Sequence, residues 1–235
     1  MNDRLEQILK AGALRVGTTM DTPVFSMRDE TGQLTGIDMD LLVTLGRALD
    51  VRIDFVKMTF GTMLADLSAD RFDLAMSGMG RTFERARVAT FSRPYMSYGK
   101  LLMIRTADRA KFGSLADLDK SSTRIAFNAG GLNDRFANTE FREATPVEYP
   151  SNKLATADLL AGKVDAQVQD STAAVYLSRV NPLLTAMAPE NIFHPVHVAI
   201  LLRREDRALQ DFINIWIDQI ELDGTLASVR ETWLG

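Results

Sequence analysis

The sequence predicts an α/β protein built as two lobes, one of them discontinuous. Three patterns carry this reading. From residue 14 to residue 76, short β-branched runs alternate with helix-period apolar spacing, the β-α-β-α-β order of a mostly parallel sheet flanked by helices. The same grammar restarts after residue 110 as a smaller α/β unit. Near the end, Leu209, Phe212, Ile213, Trp216, Ile217 and Ile220 form one helical stripe that needs an apolar partner. The first unit is the expected partner. Residues 1–97 plus 195–235 therefore form lobe one, and 98–194 form lobe two. Two extended segments, Pro94 to Arg105 and His194 to Arg203, would join them by crossing strands, with a ligand cleft between the lobes.

The elements follow in order. Leu5, Ile8 and Leu9 mark a first helix ended at Gly12, and Leu14 to Thr18 is a strand. A hairpin-like turn surrounds Thr31, Gly32 and Gln33. Met39, Leu42, Val43 and Leu49 give a helix, and Val51 to Val56 a strand. Met63, Leu64 and Leu67 mark a helix leading into the strand Phe72 to Met76. In lobe two, Arg124 to Phe127, Pro146 to Tyr149 and Ala166 to Gln169 read as strands. Helices are expected over Ser114 to Leu118, Asn133 to Phe141, Ser151 to Ala161 and Ser171 to about Ser178, and the closing helix stops at Gly224.

Composition narrows the function classes. The chain has 235 residues, 46% of them apolar and 25% charged, as expected of a globular protein rather than a disordered one. A net charge of −4 gives no basic field for nucleic acid. No apolar run approaches the roughly 20 residues that span a bilayer, so direct membrane insertion is not expected. Its opening residues are not expected to act as a signal peptide. It has no cysteine, which removes disulfides, thiolate metal sites and cysteine nucleophiles. His194 and His197 lack a third ligand, and no metal or cofactor is expected. Neither G-x-G-x-x-G nor a P-loop occurs.

The segment from Asp73 to Tyr95 is the most informative. An apolar strand ends at Ser77-Gly78, and Gly78 and Gly80 leave the backbone bare around Met79. Thr82 suits a helix N-cap, which puts Arg85 in the first turn. A cation there opposes the helix dipole. It becomes sensible if an external carboxylate sits between the guanidinium and the bare N–H groups.

The motifs LRVGTT at 14–19, GIDMDLL at 36–42, FDLAMSGM at 72–79, ER at 84–85, FSRPY at 91–95 and DGTLASVRETWLG at 223–235 cover nearly the whole chain. Together they resemble the type II periplasmic solute-binding proteins of the polar amino-acid ABC transporter group. The resemblance implies a two-lobed fold that closes on an amino acid, a periplasmic location and an ABC permease as partner. It implies that Arg85 grips the ligand α-carboxylate, that Asp170 binds the α-ammonium and that Phe60 covers the side chain. It also places Gly78, Gly80, Gly131 and Thr19 around the ligand. A second family on this scaffold, the cyclohexadienyl dehydratases, is similar at MSGMGRTFER, at NAGGLNDRF with Asn128 and Asn133, and at YGK ending at Lys100. Its general acid stands three residues beyond the aspartate. Here that place is Ala173, and a methyl group donates no proton. The resemblance therefore implies amino-acid binding without catalysis, with a polar or cationic ligand such as arginine, and dehydration of prephenate or arogenate as the alternative.

Each of these residues also has a plainer reading. Arg85 serves equally as a surface ion-pair partner, Asp170 as a helix N-cap and Phe60 as core. Lys100 is expected in solvent, and Asn128 and Asn133 are ordinary turn residues. The resemblance implies an acidic residue in the loop after the first strand for a cationic ligand; Asp21 is the candidate, although it falls beside the expected place, where Thr19 stands.

Overall fold

The computed structural model describes residues 3–235. Helix α1 (Arg4–Ala11) is capped by the Asp3 side chain and ended by Gly12 in a left-handed conformation. Strand β1 (Ala13–Thr18) and the hairpin β2 (Met27–Arg28) and β3 (Leu34–Thr35) follow, then α2 (Ile37–Leu49), β4 (Arg52–Lys57), α3 (Met63–Ser68) and β5 (Leu74–Ala75). Next come α4 (Phe83–Ala86), β6 (Thr90–Phe91) and β7 (Met96–Arg105). The chain continues through α5 (Leu115–Leu118), β8 (Arg124–Asn128), α6 (Leu132–Glu140), β9 (Thr145–Tyr149), α7 (Asn152–Leu160), β10 (Ala166–Asp170), α8 (Ser171–Val180) and β11 (Leu184–Ala186). It ends with β12 (Phe193–Val198), β13 (Leu201–Leu202), α9 (Arg207–Leu222) and α10 (Thr225–Leu234).

Two compact units result: Met1–Ser97 with Val196–Gly235, and Tyr98–Pro195. In unit 1 the strand order is β4-β1-β5-β13-β6. β4, β1 and β5 are parallel, as their helical crossovers require. β13 is antiparallel to both β5 and β6, so it enters the sheet as an interior strand from the far end of the chain. The stripe of α9 is buried at Leu209, Ile213, Trp216, Ile217 and Ile220, and it packs on α1 and α2. The Trp216 indole N–H donates to Thr44 Oγ1 at 3.1 Å. α10 also docks on α2, where the Trp233 indole N–H donates to Asp40 Oδ2 at 2.7 Å. Below the sheet, Arg4, Arg15 and Arg203 share Asp70 and Asp73, which ties α1, β1 and the turn before β5 to the segment preceding α9.

In unit 2 the order is β11-β7-β10-β8-β9, with β12 also paired to β7. β9, β8 and β10 are parallel, and β7 runs antiparallel to β10 and β11. Its core is Leu102, Ile104, Phe127, Phe136, Ala166 and Val168.

Several expected boundaries shift. The strand read over Phe72 to Met76 is reduced to Leu74–Ala75, and the extended run from His194 to Arg203 divides into β12 and β13. α10 and β11 were not expected from the sequence. α10 lies beyond the Gly224 stop, in a stretch with only one buried residue, Leu226, so its apolar period is faint.

Candidate functional site

In unit 1 the predicted residues gather around the turn after β5. Thr82 caps α4, its hydroxyl accepting from the Arg85 N–H at 3.2 Å. α4 is a single turn, so the macrodipole that a cation at Arg85 was expected to oppose hardly exists. Arg85 is 7% exposed, which removes its reading as a surface residue. Its Nη1 donates to the Gly80 carbonyl at 2.8 Å. Gly80 forms an isolated antiparallel bridge with Val198, and neighbouring backbone pairs the same segment: Ala199 N–H to Met79 O and Arg81 N–H to His197 O. The expectation of a bare backbone here is corrected at Gly78. Its N–H donates to Asp38 Oδ2 at 2.7 Å. Gly78 has φ +62°, and a Cβ there would lie 2.7 Å from the Phe25 ring, so only glycine fits.

Thr19 is buried at the end of β1 within a hydroxyl cluster. Its Oγ1 lies 2.7 Å from Thr22 Oγ1 and 2.9 Å from Ser77 Oγ, and Ser26 Oγ lies 2.7 Å from Ser77 Oγ. A hydroxyl can both donate and accept, so these four side chains satisfy most of one another's needs. Asp21 is next to it, and burial raises its carboxyl above the ordinary range despite a hydrogen bond from Thr19. Phe60 is half-buried between β4 and α3, packed on the cluster that contains Met58, Met63, Phe72 and Met79. Its core reading therefore holds, and it packs on the cluster that contains Met79 of the glycine turn.

In unit 2 the predicted residues form one connected chain. Lys100 and Asp170 are register partners of β7 and β10. Lys100 Nζ donates to Asp170 Oδ1 and, at 2.6 Å, to Asn133 Oδ1. The Asn133 side-chain amide donates to Asn128 Oδ1 at 2.8 Å. Tyr98, two residues along the same strand face, places its ring centre 5.0 Å from the ammonium. Lys100 was expected in solvent, and this is corrected: it is 3% exposed. Its side chain is 4% exposed, and a buried ammonium needs acceptors, which Asp170 and Asn133 supply. Asp170 occupies the N-cap position of α8, but its side chain makes no capping bond. Asn128 and Asn133 are buried, not open turn residues. Gly131 is the half-buried N-cap of α6, where helix N–H groups lack intrahelical acceptors. Ala173 is fully buried in the first turn of α8.

Sequence reasoning missed Asp38, Tyr95, Ser77 and Ser171. Ser171 Oγ accepts from the Gly99 N–H at 3.2 Å. For Asp38 a signal existed: it shares one helix face with Leu41, Leu42, Leu45 and Leu49, where a carboxylate is out of place. Among the described residues, no group of three or more metal-ligating side chains could hold an ion. No helix among them is long and apolar enough to cross a membrane.

Known proteins resemble this chain over nearly its full length. The cyclohexadienyl dehydratase of Pseudomonas aeruginosa is 34% identical over 231 residues, covering 98% of this chain and 86% of that protein. The crystal structure of an ancestral amino acid-binding protein, described as a precursor of cyclohexadienyl dehydratase, superposes with a TM-score of 0.93. It has 32% identity and covers 98% of this chain and 99% of that one. An amino acid ABC transporter substrate-binding protein from Streptococcus pneumoniae, bound to L-arginine, superposes with a TM-score of 0.91. It has 25% identity and covers 99% of this chain and 98% of that one. Residues 14–235 match the bacterial extracellular solute-binding proteins, family 3, and the chain belongs to that family.

Proposed function

We propose that this solute-binding protein takes up a free amino acid, polar or cationic, by closing its two units on it without chemical turnover. The observation that carries the reading is the buried guanidinium of Arg85, fixed beside a glycine turn. A planar, permanently charged donor fork matches a carboxylate in two parallel hydrogen bonds. Phe60 covers the ligand side chain, and the backbone of Gly78 to Gly80 and the Thr19 hydroxyl cluster shape the floor. Unit 2 brings the N–H of Gly131 and the carboxylate of Asp170. Lys100 engages Oδ1 of Asp170, and Oδ2 is the oxygen offered to a ligand ammonium. Binding that draws on both units couples closure to recognition. The family points to the periplasm and to an ABC permease as the receiving partner.

One observation favours a second reading, dehydration of prephenate or arogenate. Lys100 already supplies an ammonium to Asp170, and Asn133 and Asn128 extend that pair into a polar chain suited to a ligand hydroxyl or second carboxylate. Against it stands Ala173, whose methyl group can neither give nor take a proton.

A thermal-shift screen over the proteinogenic amino acids plus prephenate tests both, since a ligand that binds only the folded state raises Tm. Binding of a polar or cationic amino acid, with no phenylpyruvate formed from prephenate, is expected. Turnover of prephenate would overturn the non-catalytic reading. Arg85→Ala should weaken amino-acid binding by ~2–5 kcal/mol. Unchanged affinity in calorimetry would remove Arg85 from the site.

A further inference from the structure

We infer that Asp38 is a positioning residue: its buried carboxyl clamps the turn carrying Gly78 to Tyr95 and to helix α2, and so sets the backbone against which Arg85 is held. The part concerning ligand affinity rests on the amino-acid reading above.

Asp38 is fully buried on the apolar face of α2. The start of that helix is pinned, with Ile37 N–H donating to Val24 O at 2.8 Å and Asp38 N–H to Phe25 O at 3.0 Å. From this fixed base the carboxyl reaches two other elements. Oδ2 accepts from the Gly78 N–H at 2.7 Å and Oδ1 from the Tyr95 hydroxyl at 2.6 Å. Tyr95 itself is fully buried and immediately precedes β7. On its other side the Gly78 turn is pressed against the Phe25 ring, closely enough to exclude a Cβ. The turn is thus gripped between an aromatic face and a carboxyl. Two residues later the Gly80 carbonyl receives Arg85 Nη1. A shift of the turn would move that carbonyl and the guanidinium with it.

A carboxyl in this place is expensive to bury, and a leucine would continue the stripe of Leu41, Leu42 and Leu45 at lower desolvation cost. An apolar residue, however, offers no acceptor to Gly78 and leaves both its N–H and the Tyr95 hydroxyl without this shared partner. Asparagine keeps the geometry: its oxygen accepts from Gly78 while its amide donates to the tyrosine oxygen. The role is therefore separable from the charge.

Three variants test it: Asp38→Asn, Asp38→Leu and, should the leucine fail to fold, Asp38→Ser, whose hydroxyl falls short of Gly78. Native-state hydrogen exchange in ligand-free protein reads the turn directly. Asp38→Asn should keep wild-type protection at the Gly78 amide. Asp38→Leu or Asp38→Ser should speed exchange at Gly78 to Gly80 by about tenfold or more relative to amides of β1. With L-arginine as probe, the asparagine variant should bind within about threefold of wild type and the others about tenfold more weakly. Unaltered turn protection in a folded Asp38→Leu or Asp38→Ser protein would overturn the inference. If the turn loosens but wild-type protein binds neither L-arginine nor any other amino acid, the positioning role stands and the amino-acid assignment fails.

Discussion

The hydroxyl cluster of unit 1 and the lysine-centred chain of unit 2 bury polar groups by opposite strategies. In unit 1, Thr19, Thr22, Ser26 and Ser77 form a cluster of neutral hydroxyls, a group type that can reverse donor and acceptor roles. In unit 2, Lys100, Asp170, Asn133 and Asn128 form a directed chain in which a full charge fixes the polarity of each neighbouring bond. The first arrangement adapts when one member is lost. The second does not, because removing one ion leaves the other buried and uncompensated.

The sharpest way to break this contrast is Lys100→Met. It should lower stability by about 3–5 kcal/mol in urea denaturation, the loss expected when one partner of a buried pair is removed. A loss under about 1 kcal/mol would place the pair among weak surface bridges instead.

Asp38 adds a charge-dependent case within unit 1. Burial, opposed by the hydrogen bonds from Tyr95 and Gly78, pushes its carboxyl up to about 7. In the unfolded chain it ionises near pH 4, about the ordinary value. Between these values the folded protein holds a proton that the unfolded chain has released, so stability falls as pH rises and levels off above about 7. Asp38→Asn lacks this slope. Its stability relative to wild type should rise by a few kcal/mol from about pH 4.5 to about pH 7.5, read from paired urea titrations. A constant difference across that range would show that Asp38 ionises normally.

The smallest effect is expected from the hydroxyl cluster. Thr22→Val should cost only about 0.5–1.5 kcal/mol, because the remaining hydroxyls re-pair. A loss as large as that of Lys100→Met would erase the distinction between the two clusters.

Much of this was legible in the sequence, and the gaps have physical causes. Helices α2 and α9 announced themselves through apolar period, the β2–β3 turn through Thr31-Gly32, and α4 through the Thr82 cap, because each signal is local. The interior position of β13 was not legible: Leu201 pairs with Ala75 and Phe91, and Leu202 with Leu74 and Thr90, residues more than a hundred positions away. Lys100 was misjudged for a related reason. A lysine beside the continuous apolar run Leu101 to Ile104 is in a strand covered on both faces. Its partner Asp170 is supplied by a strand seventy residues away. The residues expected at the site did fall into two groups, one in each unit, but what holds each group in place came from pairings that no local pattern encodes.

The place of β13 between β5 and β6 has one more consequence. As the chain leaves the ribosome, residues 98–195 emerge complete and can fold as a contiguous unit. The flanking unit cannot. Its sheet holds a gap one strand wide until residue 202 is exposed, and its largest helical stripe arrives later still. For that interval β5 and β6 present open edges, a state prone to mispairing. The nascent protein thus matures from its middle outward, and the guanidinium-bearing half is the last to settle.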